Sequence, residues 1–356
     1  MKIKIGNSYI GLNQPCYIVA ELSANHQGSL DFMLRMIREA KKIGANAIKI
    51  QTYTADTITL NSNKKDFKIP SNSPWKKFKN LWNLYDNAKT PLEWHKRIFN
   101  EAKKNKIDIF ASVFDETLVD FLEELNCPAY KIASAEINHI PLIKKVAKTK
   151  KPIILSTGLA NKNDLEIAIK TIKKCNNEKI IVLKCVSSYP APLEESNLKT
   201  ILDIEKKYGV LAGVSDHTEG SIVPITSCSI GAKVIEKHLD IENNKKSIDS
   251  FFSMKSDSFK EMIKSVRMTE KALGKIDYSI SKSSKASQNN KNSIYVCKNI
   301  KKGEYFSKEN IKIIRPGYGL HPIYWESVLG KKSRKNLSYG DPLKLNNIQN
   351  LKKLKI

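Results

Sequence analysis

The 356-residue sequence contains no long apolar run and no closely paired cysteines, and each absence excludes a class of protein. No segment approaches the ~20 consecutive apolar residues that a membrane-spanning helix needs. The six cysteines are scattered and none forms a CxxC pair, so neither a disulfide framework nor a zinc ribbon is indicated. The first residues contain no apolar segment before a small-residue cleavage site. We therefore expect a cytoplasmic protein without a signal peptide.

Acidic residues are scarce beside basic ones, with 36 Asp and Glu against 61 Lys and Arg. The formal net charge of +25 raises the alternative of nucleic-acid binding, but no RNP, zinc-finger or helix-turn-helix pattern is present. The excess is mostly lysine that is spread along predicted helices. This distribution favours a lysine-rich surface that attracts anionic small molecules. We expect no nucleic-acid partner and no membrane partner.

Short runs rich in β-branched residues alternate with amphipathic helical patterns along most of the chain. The eight runs are Tyr17–Leu22, Ala45–Gln51, Ile107–Ser112, Ala129–Ala133, Pro152–Ser156, Lys179–Cys185, Val210–Ser215 and Lys233–His238. Such alternation predicts an α/β fold whose parallel sheet is covered by helices. Eight units in ~250 residues favour a closed (β/α)₈ TIM barrel. A doubly wound sheet would more often carry a glycine-rich phosphate turn after its first strand, where this chain has Glu21–His26.

Two stretches interrupt the alternation, and one of them sets the predicted domain boundary. Residues 275–291 are rich in Ser, Lys and Asn and predict a linker. The sequence thus predicts a barrel domain over 1–274 and a small β-rich domain over 292–356. The other interruption is an insertion after the second strand, Tyr53–Lys89, whose aromatic residues include Trp75. A loop of this length is usually functional, although its aromatics could also serve only to pack it onto the rim.

Polar residues stand at or just after the end of every predicted strand, where a barrel builds its active site. They are Glu21, Lys49, Gln51, Ser112, Lys131, Ser134, Glu136, Ser156, Ser187, Tyr189, Ser215, His217 and His238. Lys49 and Lys131 lie within apolar runs, so each must find an anion to avoid being buried unpaired. Two lysines with several serines suit a phosphate and a carboxylate. The alternative is that each lysine pairs with a buried Asp or Glu.

His217 and His238 end neighbouring strands, which lie ~4.8 Å apart in a sheet, so both imidazoles can reach one ion. Such an open site suits Mn²⁺, Co²⁺ or Zn²⁺. Asp249 could join this site from the loop after the eighth strand, or remain a solvated loop carboxylate. Glu21 and Glu136 are candidates for acid–base work or for accepting sugar hydroxyls. Structural pairing with a lysine is the alternative for both.

Several of these segments resemble the sialic-acid synthase family, in order along nearly the whole chain. The matching segments are Glu21–His26, Lys49–Thr52, Tyr130–Glu136, Leu155–Gly158, Ser215–Thr218 and Glu236–His238. The tail from Ile300–Gly303 through Arg315–Gly319 resembles the antifreeze-like (SAF) domain of that family.

The resemblance implies an enzyme that condenses phosphoenolpyruvate with a sugar and water, giving a nine-carbon nonulosonic acid and phosphate. By position, the residues implied to hold phosphoenolpyruvate are Lys49, Ser112, Lys131, Ser134, Ser156, Ser187 and Ser215. Those implied to face the sugar or the reacting water are Glu21, Gln51, Glu136, Tyr189 and Asp249. His217 and His238 would hold a divalent metal ion, Mn²⁺ with Co²⁺ or Mg²⁺ as alternatives. Arg315 would reach the sugar from the partner subunit of a domain-swapped homodimer.

Within the family, some segments indicate a branch that acts on a diacetamido trideoxyhexose, a 2,4-diacetamido-2,4,6-trideoxy sugar of altrose configuration. They are Ser23–His26, Gln51–Thr57, Leu84–Tyr85, Thr90–His95 and Gly319–Pro322. Legionaminate and neuraminate synthases resemble these segments less and remain the alternatives. A non-catalytic sugar-binding protein that retains the barrel is a further alternative of a different class.

Overall fold

The computed structural model describes residues 1–242 and 247–353, and the chain divides into two compact units, Met1–Gly274 and Lys275–Ile356. The last three residues of the predicted tail domain lie outside the described residues. No helix within the described residues is both long enough and apolar enough to cross a membrane.

Eight parallel strands of the first unit close into a barrel. They are β3 (Tyr17–Glu21), β4 (Ala47–Thr52), β5 (Asp108–Val113), β6 (Tyr130–Ile132), β7 (Ile153–Ser156), β8 (Ile180–Cys185), β9 (Leu211–Asp216) and β10 (Val234–Asp240). Each pairs with the next, and β10 pairs with both β9 and β3, which closes the sheet. The predicted TIM barrel is confirmed. All six residues of β5 and all seven of β10 are buried, because helices cover the outside of a parallel sheet.

Helices follow the barrel strands and cover them. They are α1 (Leu30–Lys42), α2 (Ala55–Ile58), α3 (Leu81–Ala88), α4 (His95–Lys104), α5 (Glu116–Glu124), α6 (Ile140–Lys148), α7 (Lys162–Lys174), α8 (Thr200–Tyr208), α9 (Ile222–Ser229) and α10 (Ser256–Leu273). Asp115 and Asn161 accept backbone N–H groups at the starts of α5 and α7 and so serve as their N-caps. A 3₁₀ turn at Leu92–Trp94 directly precedes α4.

A short antiparallel hairpin, β1 (Lys2–Ile5) and β2 (Ser8–Gly11), precedes the barrel. Its isoleucines join the barrel core. The N–H of Asn7 at its turn donates to Asp108, the first residue of β5, over 2.8 Å. The hydroxyl of Tyr17 donates to the other oxygen of the same carboxylate over 3.1 Å. Asp108 therefore ties the hairpin to the N-terminal ends of the barrel strands.

The second unit has its own small apolar core, which includes Ile294, Phe306 and Leu343. Two strands, β12 (Ser293–Val296) and β13 (Ile311–Ile314), pair antiparallel with each other. Isolated bridges connect further segments of the unit, which also contains the short helix α11 (Trp325–Val328). The strand β11 (Met254–Lys255) belongs to the first unit and extends the sheet beside β10. The β-rich character predicted for the tail is thus observed.

Candidate active site

A cavity of about 460 Å³ opens at the C-terminal ends of the barrel strands. Most of the residues predicted for the site line this cavity. They are Lys49, Gln51, Ser112, Lys131, Ser134, Glu136, Ser156, Ser187, Tyr189, Ser215, His217, His238 and Asp249. Residues that are up to about two hundred positions apart in the chain thus meet at one mouth, because parallel strands all end at the same edge.

A buried ionic cluster forms the floor of the cavity. Glu236 on β10 accepts a hydrogen bond from Lys49 over 2.7 Å, bonds from Lys131 over 2.9 and 3.0 Å, and a bond from Ser215 over 3.0 Å. Lys49 also pairs with Glu21 over 3.1 Å. The alternative of lysines paired with buried carboxylates is therefore what the structure shows. It is compatible with anion binding, because both lysines still line the cavity.

Burial and mutual charge perturb every member of this cluster. Burial lowers the pKa of Lys131 to about 8, although Glu236 opposes the shift. Burial also raises the pKa of Glu21 to about 7 against the attraction of Lys49. Burial alone would raise the pKa of Glu236, but the two ammonium groups hold it well below the usual range. Two lysines thus face two carboxyl groups, and of these two carboxyl groups Glu21 takes up a proton more easily.

Serine hydroxyls surround the two lysines and supply neutral hydrogen-bond donors. The hydroxyls of Ser112 and Ser156 are buried and have no partner among the described residues. Unsatisfied buried hydroxyls are costly, so this pair favours a ligand that accepts hydrogen bonds. Gly158 allows two further serines to approach: a Cβ there would overlap the Ser187 hydroxyl and lie 2.8 Å from that of Ser134. The Leu155–Gly158 segment therefore needs its glycine for packing beside the site.

Two further carboxyl groups, of Glu136 and Asp249, line the cavity. Burial raises the pKa of Glu136 to about 7, and one of its oxygens is buried without a partner among the described residues. Asp249 is buried and accepts a hydrogen bond from the hydroxyl of Ser23. Burial raises the pKa of the Asp249 carboxyl. Groups whose pKa lies near neutrality are suited to proton transfer, which makes Glu136 the stronger acid–base candidate.

His217 and His238 lie side by side at the mouth, with ring centroids 5.3 Å apart. The Nδ1 of His217 lies 2.8 Å from the carbonyl of Val186, which can only accept, so Nδ1 carries the proton and Nε2 is left as a lone-pair donor. The Nδ1 of His238 is buried without a partner among the described residues. Burial lowers the pKa of His238 well below its usual value, which keeps the imidazole neutral.

These two imidazoles fit a divalent ion, because burial favours the neutral form of His238 and the bond to Val186 leaves the Nε2 of His217 as a donor atom. Within residues 1–242 and 247–353, no group of three or more His, Cys, Asp or Glu side chains is arranged to hold a metal. Any further ligands would therefore come from water or substrate, as in an open catalytic site. Asp249 bonds to Ser23 and is not part of such a group.

Aromatic side chains form the upper wall. Trp75 of the insertion meets the ring of Tyr189 with centroids 5.7 Å apart, and its indole N–H donates to the carbonyl of Ile248 over 3.3 Å. Phe252 lies against Tyr189 and against His238, with centroids 4.9 and 4.7 Å apart. The aromatic residue Trp75 of the insertion thus packs onto the rim and also lines the cavity, whereas a function for the insertion stays a prediction.

Two predicted site residues lie elsewhere. Glu21 is fully buried outside the cavity lining, where it accepts hydrogen bonds from the N–H of Ser23 and the amide of Gln51. Its direct contact with a sugar or a reacting water is not supported, because the side chains of Gln51 and Lys49 cover it. Arg315 belongs to the second unit. Its approach to a partner's sugar stays a prediction.

Glu236 and Phe252 are two residues of the site to which the sequence assigned no role. Glu236 could have been found, because it shares the inward face of β10 with His238, two residues away. Phe252 carried no such signal, since it follows the strand in a loop without periodicity.

The chain matches the NeuB family model over residues 36–278, more than half of its length. The chain belongs to the NeuB family. Residues 291–349 match the SAF domain, which confirms the predicted character of the tail. This family is the one that the sequence resembles, so that prediction is also confirmed.

Related proteins of this NeuB-family chain indicate its branch. Three pseudaminic acid synthases are 42–45% identical to it. That of Campylobacter jejuni strain 81-176 is 45% identical over 344 residues, which cover 96% of this chain and 98% of the relative. The N,N'-diacetyllegionaminic acid synthase of Campylobacter jejuni is 34% identical, covering 90% of this chain and 96% of the relative.

A solved structure supports the fold. The N-acetylneuraminic acid synthetase of Leptospira borgpetersenii, in complex with citrate, matches with a TM-score of 0.71 and 31% identity. The match covers 81% of this chain and 95% of that one.

Proposed function

We infer that this chain is a pseudaminic acid synthase. It condenses phosphoenolpyruvate with 2,4-diacetamido-2,4,6-trideoxy-β-L-altropyranose and water, giving pseudaminic acid and phosphate. The observation that carries this inference is the floor of two lysines and unpartnered serines in a barrel that is 42–45% identical to pseudaminic acid synthases. The identity to a legionaminic acid synthase is lower, at 34%, which supports placing the altrose-configured sugar before the legionaminate precursor.

Phosphoenolpyruvate binds on the floor of the cavity. Its phosphate and carboxylate meet the ammonium groups of Lys49 and Lys131, which Glu236 holds 2.7 and 2.9 Å from one of its oxygens. The unpartnered hydroxyls of Ser112 and Ser156 donate to the same ligand. The site is organised before the ligand arrives, which reduces the entropy lost on binding.

The reaction forms a carbon–carbon bond between C3 of phosphoenolpyruvate and the aldehyde carbon of the open-chain sugar. Water then adds to C2, and the bond from C2 to the phosphate oxygen breaks, so that a ketone and inorganic phosphate result. Glu136 takes the proton from this water, because its pKa of about 7 leaves a large carboxylate fraction at neutral pH. Lys49 and Lys131 offset the charge that grows on the departing phosphate.

His217 and His238 hold the divalent metal ion, for which Mn²⁺ is the first choice and Co²⁺ or Mg²⁺ the alternatives. When bound, such an ion acts as a Lewis acid toward a carbonyl oxygen. The protein's own contribution is to orient the ring of His217 through the Val186 carbonyl and to keep the imidazole of His238 neutral by burial.

The decisive experiment supplies phosphoenolpyruvate with each of three purified sugars, with and without Mn²⁺, and measures phosphate and the nonulosonic acid product. The sugars are the altrose-configured diacetamido sugar and the precursors of legionaminate and neuraminate. We expect the highest kcat/KM with the first sugar. A higher value with another sugar would reassign the substrate, and no phosphate release with any sugar would exclude the activity.

A matched pair of variants links this activity to the floor. Lys131→Met should abolish most phosphate release, because a charged hydrogen bond to the ligand is lost. Lys145→Met removes a partly exposed lysine of α6 that pairs with Asp120, and should leave turnover unchanged. Equal activity in the two variants would contradict the assignment of Lys131.

The family resemblance further supports a domain-swapped homodimer in which Arg315 reaches the partner's sugar. Mixing inactive Arg315→Ala and Lys131→Met proteins tests this, because a heterodimer regains one intact site. Absence of recovered activity would count against the swap. The cytoplasm is the proposed location, because all six cysteines are free thiols, as is usual in a reducing compartment.

A further inference from the structure

The cavity is chemically two-sided. Its floor presents lysines, serines and carboxylates, whereas the wall that the insertion contributes is mainly apolar. The apolar insertion residues that line it are Ile58, Ile69, Pro70, Trp75, Leu81 and Leu84. The polar floor explains how an anion is held. It does not explain what the apolar wall of the insertion binds.

Trp75 is fixed in place and does not merely shield the cavity from solvent. Its ring makes edge contacts with Tyr189 and Phe251, at centroid distances of 5.7 and 5.8 Å. Its N–H donates to the carbonyl of Ile248, the residue before Asp249. The indole is thus attached to the loop that follows the eighth barrel strand. It provides a rigid apolar surface directly beside a carboxylate of the site.

The second tryptophan of the insertion makes a useful contrast. The indole N–H of Trp82 donates to Asp56 over 2.8 Å, and the ring does not line the cavity. The insertion therefore carries one tryptophan that faces the site and one that holds the insertion together.

We propose that Trp75, with Ile58, Ile69 and Leu84, forms the subsite that receives the methyl-bearing groups of the sugar. This subsite rests on the proposed function, since the sugar must carry such groups. The diacetamido trideoxy sugar has a methyl group at C6 and one on each acetamido group. Apolar side chains gain by covering methyl groups, and they penalise a hydroxyl that loses its hydrogen bonds to water.

This wall explains why the 6-deoxy sugar is preferred over a neuraminate precursor. A neuraminate precursor carries a hydroxyl at C6 where the proposed substrate has a methyl hydrogen. Placing that hydroxyl against Ile69 or Leu84 leaves it without a partner. A hydrophobic pocket discriminates between such analogues by about 10- to 200-fold, and we expect a preference within this range.

The test measures KM for the sugar and KM for phosphoenolpyruvate in Trp75→Leu, with Trp82→Leu as the matched control. Trp75→Leu should raise KM for the sugar by about tenfold, the lower end of that range, and should leave KM for phosphoenolpyruvate within about twofold. Trp82→Leu should change neither constant beyond twofold. Ile69→Thr, which keeps the β-branching of a half-exposed residue and adds a hydroxyl, should reduce the kcat/KM preference for the 6-deoxy sugar over the neuraminate precursor.

The outcomes separate the subsite from the proposed function. Wild-type protein that releases no phosphate with any sugar overturns both. Wild-type turnover with an unaltered sugar KM in Trp75→Leu overturns the subsite alone. An equal effect of Trp75→Leu and Trp82→Leu also overturns it, because the insertion would then act only as a structural element.

Discussion

Replacing Glu236 by glutamine tests whether one buried carboxylate holds both lysines of the floor. The substitution keeps the shape of the side chain and removes its charge. In the structure Glu236 accepts hydrogen bonds from Lys49, Lys131 and Ser215, which come from three different strands. Glutamine cannot accept from all three, and it cannot balance either ammonium group. The effect should be largest at Lys131, because Lys49 keeps its second partner, Glu21.

The pKa of Lys131 sets the magnitude. Burial already lowers it to about 8, and Glu236 is the group that opposes this shift. Without that carboxylate the pKa of Lys131 falls further, so the amine is largely neutral at pH 7.5. A lost charged hydrogen bond is worth ~1.5–3 kcal/mol, and ~1.4 kcal/mol corresponds to a factor of ten. We expect KM for phosphoenolpyruvate to rise by about 10- to 100-fold.

The assay is phosphate release at varied phosphoenolpyruvate, repeated from pH 6 to pH 8. Lys131 regains its proton as the pH falls, so the ratio of variant to wild-type KM should shrink toward pH 6. A ratio that does not depend on pH, or an unchanged KM, would refute the reasoning.

A control variant separates the loss of the site from the loss of stability. Breaking a buried pair lowers the free energy of unfolding by about 3–5 kcal/mol, so Glu236→Gln should also unfold at lower denaturant concentration. Asp108→Asn makes the same chemical change at the other end of the barrel, where the carboxylate accepts from Asn7 and Tyr17. It should cost about 1–3 kcal/mol of stability and leave KM unaltered. A raised KM in this control would show that destabilisation alone impairs binding.

Three further predictions concern single residues of the site. His217→Ala should lose bound metal and most activity, whereas His321→Ala, in the second unit, should lose neither. Equal metal content of the wild-type protein and both variants, measured by mass spectrometry, would contradict this. Because burial raises the pKa of Glu136 to about 7, its carboxylate form increases between pH 6 and pH 8, so kcat/KM should rise across this interval. Glu136→Gln should abolish that rise. If kcat/KM of the variant still rises between pH 6 and pH 8, another group is responsible for the rise. Gly158→Ala should raise KM for phosphoenolpyruvate with an unchanged circular dichroism spectrum, because its Cβ would displace two serine hydroxyls of the cavity; an unaffected KM would mean that the serines do not bind the ligand.

The strand-end rule recovered most of the site because a parallel barrel leaves little freedom in where its strands end. Lys49, Lys131 and His238 each follow a recognisable apolar run, and the register of the sheet brings them together. The partner of the lysines was harder to find. Glu236 lies 187 and 105 residues away from them, so only closure of the barrel makes the contact.

The residues of the insertion, unlike those at the strand ends, could not be placed from the sequence. No periodicity places Trp75, whose position depends on contacts with Tyr189 and the Ile248 carbonyl that form only in the folded chain. The length of the loop indicated a functional role, but its sequence did not predict which of its side chains line the cavity. Glu21 shows a related difficulty: the end of a strand predicts proximity to the mouth, and it does not predict which side chains pack against the residue there.

The depth of the floor has a consequence for the timing of the reaction. Lys131 and Ser112 are both 1% exposed, whereas Trp75 and Tyr189 above them remain partly open to solvent. The ligand that needs the lysines must therefore arrive first, since a sugar already seated under the tryptophan would block its route. Phosphate, the product left at the bottom, must by the same geometry depart last. Product inhibition by phosphate should accordingly be competitive toward phosphoenolpyruvate, and a random kinetic order would show that the upper wall moves aside during each turnover.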